Sequence, residues 1–256
     1  MFLDPVTLGA ADGEGRAFLR EMNGFDEREI ECADTRTAIE LLDRLLTDSA
    51  GATIRPGDAA SLTPSGRDRL LAAVYRRAFG DRIENTSRCH ACRSPFDMSF
   101  SLVALQESVA PRSRPAPLRT ARGLEFRLPT GADEIAVSLL PREEAARELR
   151  RRIAPEARQD DTSELEEALE SAAPLIDIDL DARCPECGAR QQHRFNIQHF
   201  LLTAIVQERR RLFREVHELA VAYGWSCNEI LSLRRSERRA YVSCIDSQPA
   251  LARRVS

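Results

Sequence analysis

The sequence contains no lysine. All 37 basic residues are arginine, set against 41 acidic ones for a net charge of −4. A P-loop lysine, a Schiff-base lysine and a pyridoxal attachment site are therefore excluded. Arginine alone suits bidentate pairing with carboxylates and stacking at interfaces, and it also follows from a GC-rich genome. The slight acid excess removes the global basic field that recruits nucleic acid. Long apolar runs are missing too, so no segment reaches membrane-spanning length. Met1-Phe2-Leu3-Asp4 lacks the basic and apolar regions of a signal peptide. No Gly-x-Ser-x-Gly elbow is present. His217-Glu218 is half of a zincin motif, with Val221 where the second histidine belongs. Gly13-Glu14-Gly15 starts like a dinucleotide loop, but Phe18 replaces the third glycine and no buried strand precedes it.

What is present is a set of seven cysteines, four of them in two Cys-x-x-Cys pairs. Cys89-His90-Ala91-Cys92 and Cys184-Pro185-Glu186-Cys187 stand roughly ninety residues apart. Two such pairs suit tetrahedral zinc, and an all-cysteine shell leaves no open position for water or substrate. The pattern points to a structural metal and away from metal-assisted catalysis. The flanks repeat as well. Arg88 and Arg183 precede the pairs, and Phe100 and Phe195 stand eleven residues beyond Cys89 and Cys184. Leu102 and Ile197, then Leu105 and Phe200, continue the match. This reads as a repeat of strand, knuckle, strand, with Phe96, Met98, Phe100 and Leu102 on one face of the first copy. In the second, Ile176, Ile178 and Leu180 alternate with aspartates before the cysteines.

A redox pair would open a helix after a buried strand, and neither copy does so clearly. One shared ion is the preferred reading. Two separate ions completed by His90 and His193 is the alternative. Gly188 follows the second knuckle, where positive φ is easily adopted; Arg93 at the matching position leaves the first turn less defined. Cys32, Cys227 and Cys244 read as buried thiols. The cysteine usage suits a reducing compartment, so the expected location is cytoplasmic.

Along the chain, Asp34 or Thr35 caps a helix with Ile39, Leu42, Leu45 and Leu46 on one face. Thr63-Pro64 opens a second helix, with Leu70, Leu71, Val74 and Phe79 apolar, ended by Gly80. A proline-rich connection spans 110–117, followed by short strands at 118–122 and 124–128 and a short helix after Thr130. Pro141 opens a helix to Ile153, residues 155–163 read as a mobile stretch, and Ser163 with Glu166 forms a capping box for an acidic helix. The longest helix is expected from His199 to Tyr223. Ser226 and Glu229 box the next helix, Ser236 caps the last with Ala240, Tyr241 and Ile245, and the tail beyond Asp246 is expected to fray. Arg209-Arg210-Arg211, Arg234-Arg235 and Arg238-Arg239 read as solvated or paired with carboxylates rather than as phosphate sites. Trp225, the single tryptophan, is either core packing or a partner contact.

The run Leu62-Thr63 through Phe79-Gly80-Asp81-Arg82 leads into the first knuckle. Together with Phe126-Arg127-Leu128-Pro129-Thr130-Gly131-Ala132-Asp133, the second knuckle, Arg214-Glu215-Val216-His217, Tyr223-Gly224-Trp225-Ser226 with Glu229-Ile230-Leu231, and Ser236-Glu237-Arg238-Arg239-Ala240-Tyr241, it resembles the T4-like phage baseplate hub assembly chaperone family. Such proteins also accompany bacterial contractile injection systems. The resemblance covers about residues 60–256. It implies a non-enzymatic assembly factor, or a structural component incorporated in the particle, with baseplate or hub proteins as partners and no catalytic residues.

The expected fold is α+β, a split zinc-ribbon-like pair of β-hairpins with surrounding helices. A helical N-terminal region (1–60) is expected to precede the split ribbon (61–198, insertion about 110–174), and a helical C-terminal unit (199–256) to follow it. One structural zinc is assigned to Cys89, Cys92, Cys184 and Cys187, and partner binding to Arg210, Arg211, Arg214 and Trp225. A zinc-ribbon nucleic-acid-binding module is the alternative.

Overall fold

The computed structural model describes residues 4–9, 12–109 and 118–247. The proline-rich connection at 110–117 and the tail from 248 lie outside them. Eleven α-helices and four two-stranded antiparallel hairpins make up the described residues, an α+β fold as the sequence predicts.

The chain opens with a small hairpin, β1 (Val6–Thr7) and β2 (Arg16–Ala17). Gly13 and Glu14 lie in its turn, both at positive φ, so no dinucleotide loop forms there. Helix α1 (Gly24–Glu29) starts at Asn23 with a capping box to Asp26. In α2 (Thr35–Leu45), Asp34 accepts from Thr37 N, and Ile39, Leu41, Leu42 and Leu45 are buried. Helix α3 (Pro64–Phe79) has Thr63 as its cap, proline at its first position and Gly80 at its end. The Asp12 carboxylate receives both Thr63 N and Thr63 Oγ1 at 2.9 Å. It lies so close to this first turn that a β-carbon on Gly66 would meet it at 2.3 Å. Glycine is required there by space rather than by backbone angle.

The repeat then appears as structure. Strands β3 (Arg82–Arg88) and β4 (Pro95–Ser101) pair with Ile83 opposite Phe100. Helix α4 (Leu102–Ser108) follows at once. Between the copies come β5 (Leu118–Arg119) and β6 (Glu125–Phe126), then α5 (Gly131–Val137), α6 (Arg142–Ile153) and α7 (Thr162–Ala172). In the second copy β7 (Asp177–Arg183) and β8 (Arg190–Asn196) pair with Ile178 opposite Phe195, and α8 (Ile197–Gln207) follows. Leu102 and Ile197 do not continue the strands; they begin the helices. Ser101 caps through Ala104 N and Asn196 through His199 N, turning each chain out of the extended form. Leu102 N bonds Asp81 O and Ile197 N bonds Ile176 O, each at 3.0 Å. The repeat is thus strand, knuckle, strand, helix.

The remaining helices are α9 (Arg209–Tyr223), α10 (Cys227–Ser232) and α11 (Arg235–Asp246). The single helix expected from His199 to Tyr223 is broken at Glu208 (φ −80°, ψ −2°). Its carboxylate is drawn towards Arg235 and Arg239, while Arg209 donates to Arg28 O and Ile30 O. These contacts turn α9 onto α1. Two expected caps are also corrected. Helix α7 begins at Thr162, so Ser163 lies in its first turn and makes no box. Helix α11 begins at Arg235, putting Ser236 inside, where its N–H bonds Glu21 Oε1 at 3.0 Å. The stretch 155–163 contains a 3-10 turn at Gln159–Asp161.

The main core draws on Leu8, Leu19, Leu42, Leu71, Ile83, Leu102, Ile197 and Leu201. A satellite core joins Phe126 and Leu128 to Ile153 and Leu165 of the insertion. Helix α11 is seated differently: its buried residues are Arg235 and Arg238, not Ala240, Tyr241 or Ile245. Arg238 is 0% exposed; its Nε donates to Glu215 Oε2 and its Nη2 to Glu27 Oε1, both at 2.7 Å. Arg235 pairs with Glu27 at 3.0 Å and stacks over Phe79 at 4.5 Å. A buried charge lattice therefore holds the last helix against α1 and α9. Cys32, Cys227 and Cys244 are exposed rather than buried; Cys32 bonds Asp34 and Thr37 near the start of α2.

Candidate metal centre

Each knuckle closes one end of a seven-residue strand pair. Cys89 N bonds Ser94 O at 3.0 Å and Arg93 N bonds Cys89 O at 2.9 Å. Cys184 N to Ala189 O and Gly188 N to Cys184 O, both 2.9 Å, repeat the pattern. Gly188 has φ +73° and Arg93 φ +66°. The first turn is therefore formed as fully as the second, with a side chain in the left-handed region where glycine would be unstrained.

The hairpins meet through equivalent residues. Phe100 and Phe195 pack edge to face, 5.1 Å between ring centres at 89°. This brings the knuckles together crosswise, with Cys89 Sγ 3.6 Å from Cys187 Sγ and Cys92 Sγ 3.7 Å from Cys184 Sγ. All four sulfurs lie within 4.8 Å of one another. A tetrahedral zinc with Zn–S bonds near 2.3 Å needs S···S separations of roughly 3.8 Å, so the four donors fit such an ion. Cys89 and Cys184 are buried, whereas Cys92 and Cys187 face outward.

His90 is exposed. The His193 ring lies 3.0 Å from Ser87 Oγ and edge-on to Phe96. Neither histidine belongs to the four-sulfur cluster among the described residues. Gln191, with Oε1 accepting from His90 N at 3.0 Å and Nε2 against the His193 ring, ties the two hairpins together behind the cysteines. Sequence reasoning missed Gln191 and Ser87. It missed the caps Ser101 and Asn196 as well, although both are capping residue types twelve positions beyond the first cysteine of their copy.

The thiols respond to the turns and to one another. Backbone N–H bonds, from Cys92 first, hold the Cys89 thiol below its ordinary pKa. The Ser94 N–H and hydroxyl push Cys92 down to about 6. Against the Ala189 N–H, the neighbouring cysteines push Cys187 up to about 12. Four thiolates so close cannot all ionise without a cation, and a divalent metal supplies the missing charge.

The expected partner residues lie elsewhere, on α9 and the corner after it. Arg210, Arg211 and Arg214 are exposed and line a cleft of about 490 Å³ together with Glu218, Arg239 and Asp246. Arg211 pairs with Glu215 at 3.1 Å. Arg210 and Arg214 make no ion pair among the described residues. Trp225 is half-buried, stacked on Tyr223 at 4.9 Å and edge-on to Tyr241 at 5.0 Å. Both tyrosines are exposed, as are Phe213 and Val221. Trp225 thus packs within a surface aromatic group.

The fold and site define an α+β protein with two knuckled hairpins joined at a four-cysteine centre able to hold a metal ion. Compared with known proteins, the chain matches no family model, no curated protein and no solved structure. Among the described residues, no helix is long and apolar enough to cross a membrane.

Proposed function

We propose that this chain is a non-enzymatic assembly factor or structural component of a contractile-particle baseplate, stapled by one structural zinc. The observation that carries the reading is the closed four-sulfur centre. It offers a metal no open position for chemistry, and it fastens two hairpins far apart in sequence. The resemblance of residues 60–256 to the baseplate hub assembly chaperones supplies the particle. Several residues of that resemblance are structural keystones. Arg127 grips Asp133 with two bonds of 2.6 and 2.9 Å, and Thr130 caps α5 through Asp133 N.

The docking surface of this reading is the C-terminal corner. Arg210 and Arg214, without an ion pair among the described residues, lie on α9, and the Tyr223–Trp225–Tyr241 group terminates it; arginine and tryptophan are the residues that most often dominate such contacts. The nucleic-acid reading is weaker, because Arg235, Arg238 and Arg239 are committed to Glu27, Glu208 and Glu215. The test is assembly in producing cells. Deleting the gene should abolish intact sheathed particles counted by electron microscopy. Restoring it with Arg210→Ala and Arg214→Ala, in a protein of unchanged melting temperature and metal content, should lower that count at least severalfold. Normal particle numbers from the deletion strain would remove the assembly role, and normal numbers from the double variant would remove this docking surface.

A further inference from the structure

At the end of the β7–β8 hairpin away from its knuckle lies a cleft of about 470 Å³. It forms where the insertion meets the second repeat: Leu128 and Pro129 follow β6, Leu169 belongs to α7 and Ala173 caps its end, and Leu175 and Ile178 flank the start of β7. Its walls are fixed by buried polar contacts. Asp68, in α3, accepts from Ile176 N at 2.9 Å, and Ser65 Oγ donates to Pro174 O at 2.9 Å. Leu175 is 39% exposed at the cleft although it stands between buried Ala173 and buried Ile176.

The charge around this apolar floor is one-sided. Asp177 is neutralised by Arg194 at 2.7 Å, and Arg194 also reaches Asp179. Among the described residues, Arg194 is the only basic one lining the cleft. Glu166 and Glu170, one turn apart on α7, are exposed and make no ion pair among the described residues. An apolar trough beside two uncommitted carboxylates is complementary to an apolar side chain with a cation next to it.

We propose that this cleft is a docking site for a short segment of a partner protein carrying leucine-like side chains flanked by arginine or lysine. Leu128, Leu169 and Leu175 take the apolar side chains, and Glu166 and Glu170 take the cations. The site is separate from the C-terminal corner, so it stands or falls independently of the baseplate reading.

The probes are two fluorescein-labelled peptides, Arg-Leu-Leu-Arg and Glu-Leu-Leu-Glu with blocked ends, titrated against the full metal-loaded chain by fluorescence anisotropy. The basic peptide should bind at least about tenfold more tightly than the acidic one, a preference that shrinks severalfold as salt is raised. Glu166→Arg with Glu170→Arg should abolish or reverse the preference, and Leu175→Asp should weaken both peptides. Leu175 and both glutamates are at the surface, and a melting temperature within a few degrees of wild type checks the fold of each variant. No binding at 1 mM peptide (~1 mM, the weak limit of a specific contact), or equal binding of both peptides, overturns the proposal. So does binding seen only after residues 110–117 are replaced by a Gly-Ser stretch, which assigns the cleft to the chain itself. A concentration-dependent dimer lost in Leu175→Asp would assign it to a second copy and overturn it equally.

Discussion

Arg93 and Gly188 stand at the same step of two otherwise matching turns, and only one of them is the residue that backbone geometry prefers. A left-handed non-glycine residue costs roughly 1–2 kcal/mol, while a new glycine loosens the unfolded chain by about 0.4–1 kcal/mol. Arg93→Gly should therefore stabilise the metal-loaded protein by up to about 1 kcal/mol. Gly188→Ala should destabilise it by about 1 kcal/mol. A β-carbon at 188 would lie 3.4 Å from the Arg183 guanidinium, so strain rather than collision sets that cost. Urea unfolding of the two variants at fixed metal content measures both; the same sign for both would show that the turns are not equivalent.

Asp68 carries the pH dependence at the same scale. Burial raises its carboxyl from 3.8 to about 7, against the Ile176 N–H bond and the charge of Arg67. A carboxyl raised in the folded state holds a proton that the unfolded chain has already released. Its contribution is fully present below about pH 4 and is lost as pH rises to about 7. Asp68→Asn keeps an oxygen acceptor for Ile176 N without the charge. Relative to wild type it should gain on the order of 1–4 kcal/mol between pH 5 and pH 8. Denaturant unfolding at the two pH values checks this, and parallel profiles would refute it.

At the scale of elements, the C-terminal helix is held by charges that have left water. Removing one partner of a buried pair strands the others, at about 3–5 kcal/mol. Arg238→Ala should cost about that much, because Glu27 and Glu215 would each lose the fully buried donor they share, leaving Glu27 with Arg235 and Glu215 with Arg211 and Arg239. Hydrogen exchange should show α11 opening first, and unchanged protection there would contradict the seating. The sequence signal for this lattice was weak. Arg235 and Arg238 occur in a run of charges that reads as solvated or paired with carboxylates; pairing is what forms, but buried, and the partners Glu27 and Glu215 are far away in the chain. The break at Glu208 was hidden for the same reason: a local pattern of Leu201, Ile205, Leu212 and Val216 is continuous, and only tertiary pairing of Glu208 and Arg209 bends it. Caps such as Asp34, Thr63 and Ser226 were legible because their bonds reach three residues, whereas the caps expected at Ser163 and Ser236 lie two positions earlier, at Asp161 and Arg234, which make no side-chain cap bond.

At the scale of the whole molecule, the two knuckles were readable because metal ligation demands particular residue types at particular spacing, and a matching flank repeats the demand. What the sequence could not display was how the copies face each other, crosswise, with Phe100 on Phe195. A shared ion closes a loop of roughly ninety residues and restrains the unfolded chain. Cys184→Ser should accordingly cost several kcal/mol, on the order of a structural metal site's share. It should also speed hydrogen exchange in the distant hairpin around Cys89 and Cys92; exchange as slow as in wild type would mean that the halves are not coupled. Metal retention should fall as pH falls, since the ligands must be deprotonated to bind.

The most direct test is of the joint itself, by X-ray absorption at the zinc edge together with native mass spectrometry of freshly prepared, reduced protein. One zinc per chain is expected, bound by four sulfurs at about 2.3 Å, with the zinc lost when Cys89 and Cys184 are both replaced by serine. Metal-free protein, two ions per chain, or nitrogen or oxygen in the coordination shell would contradict it.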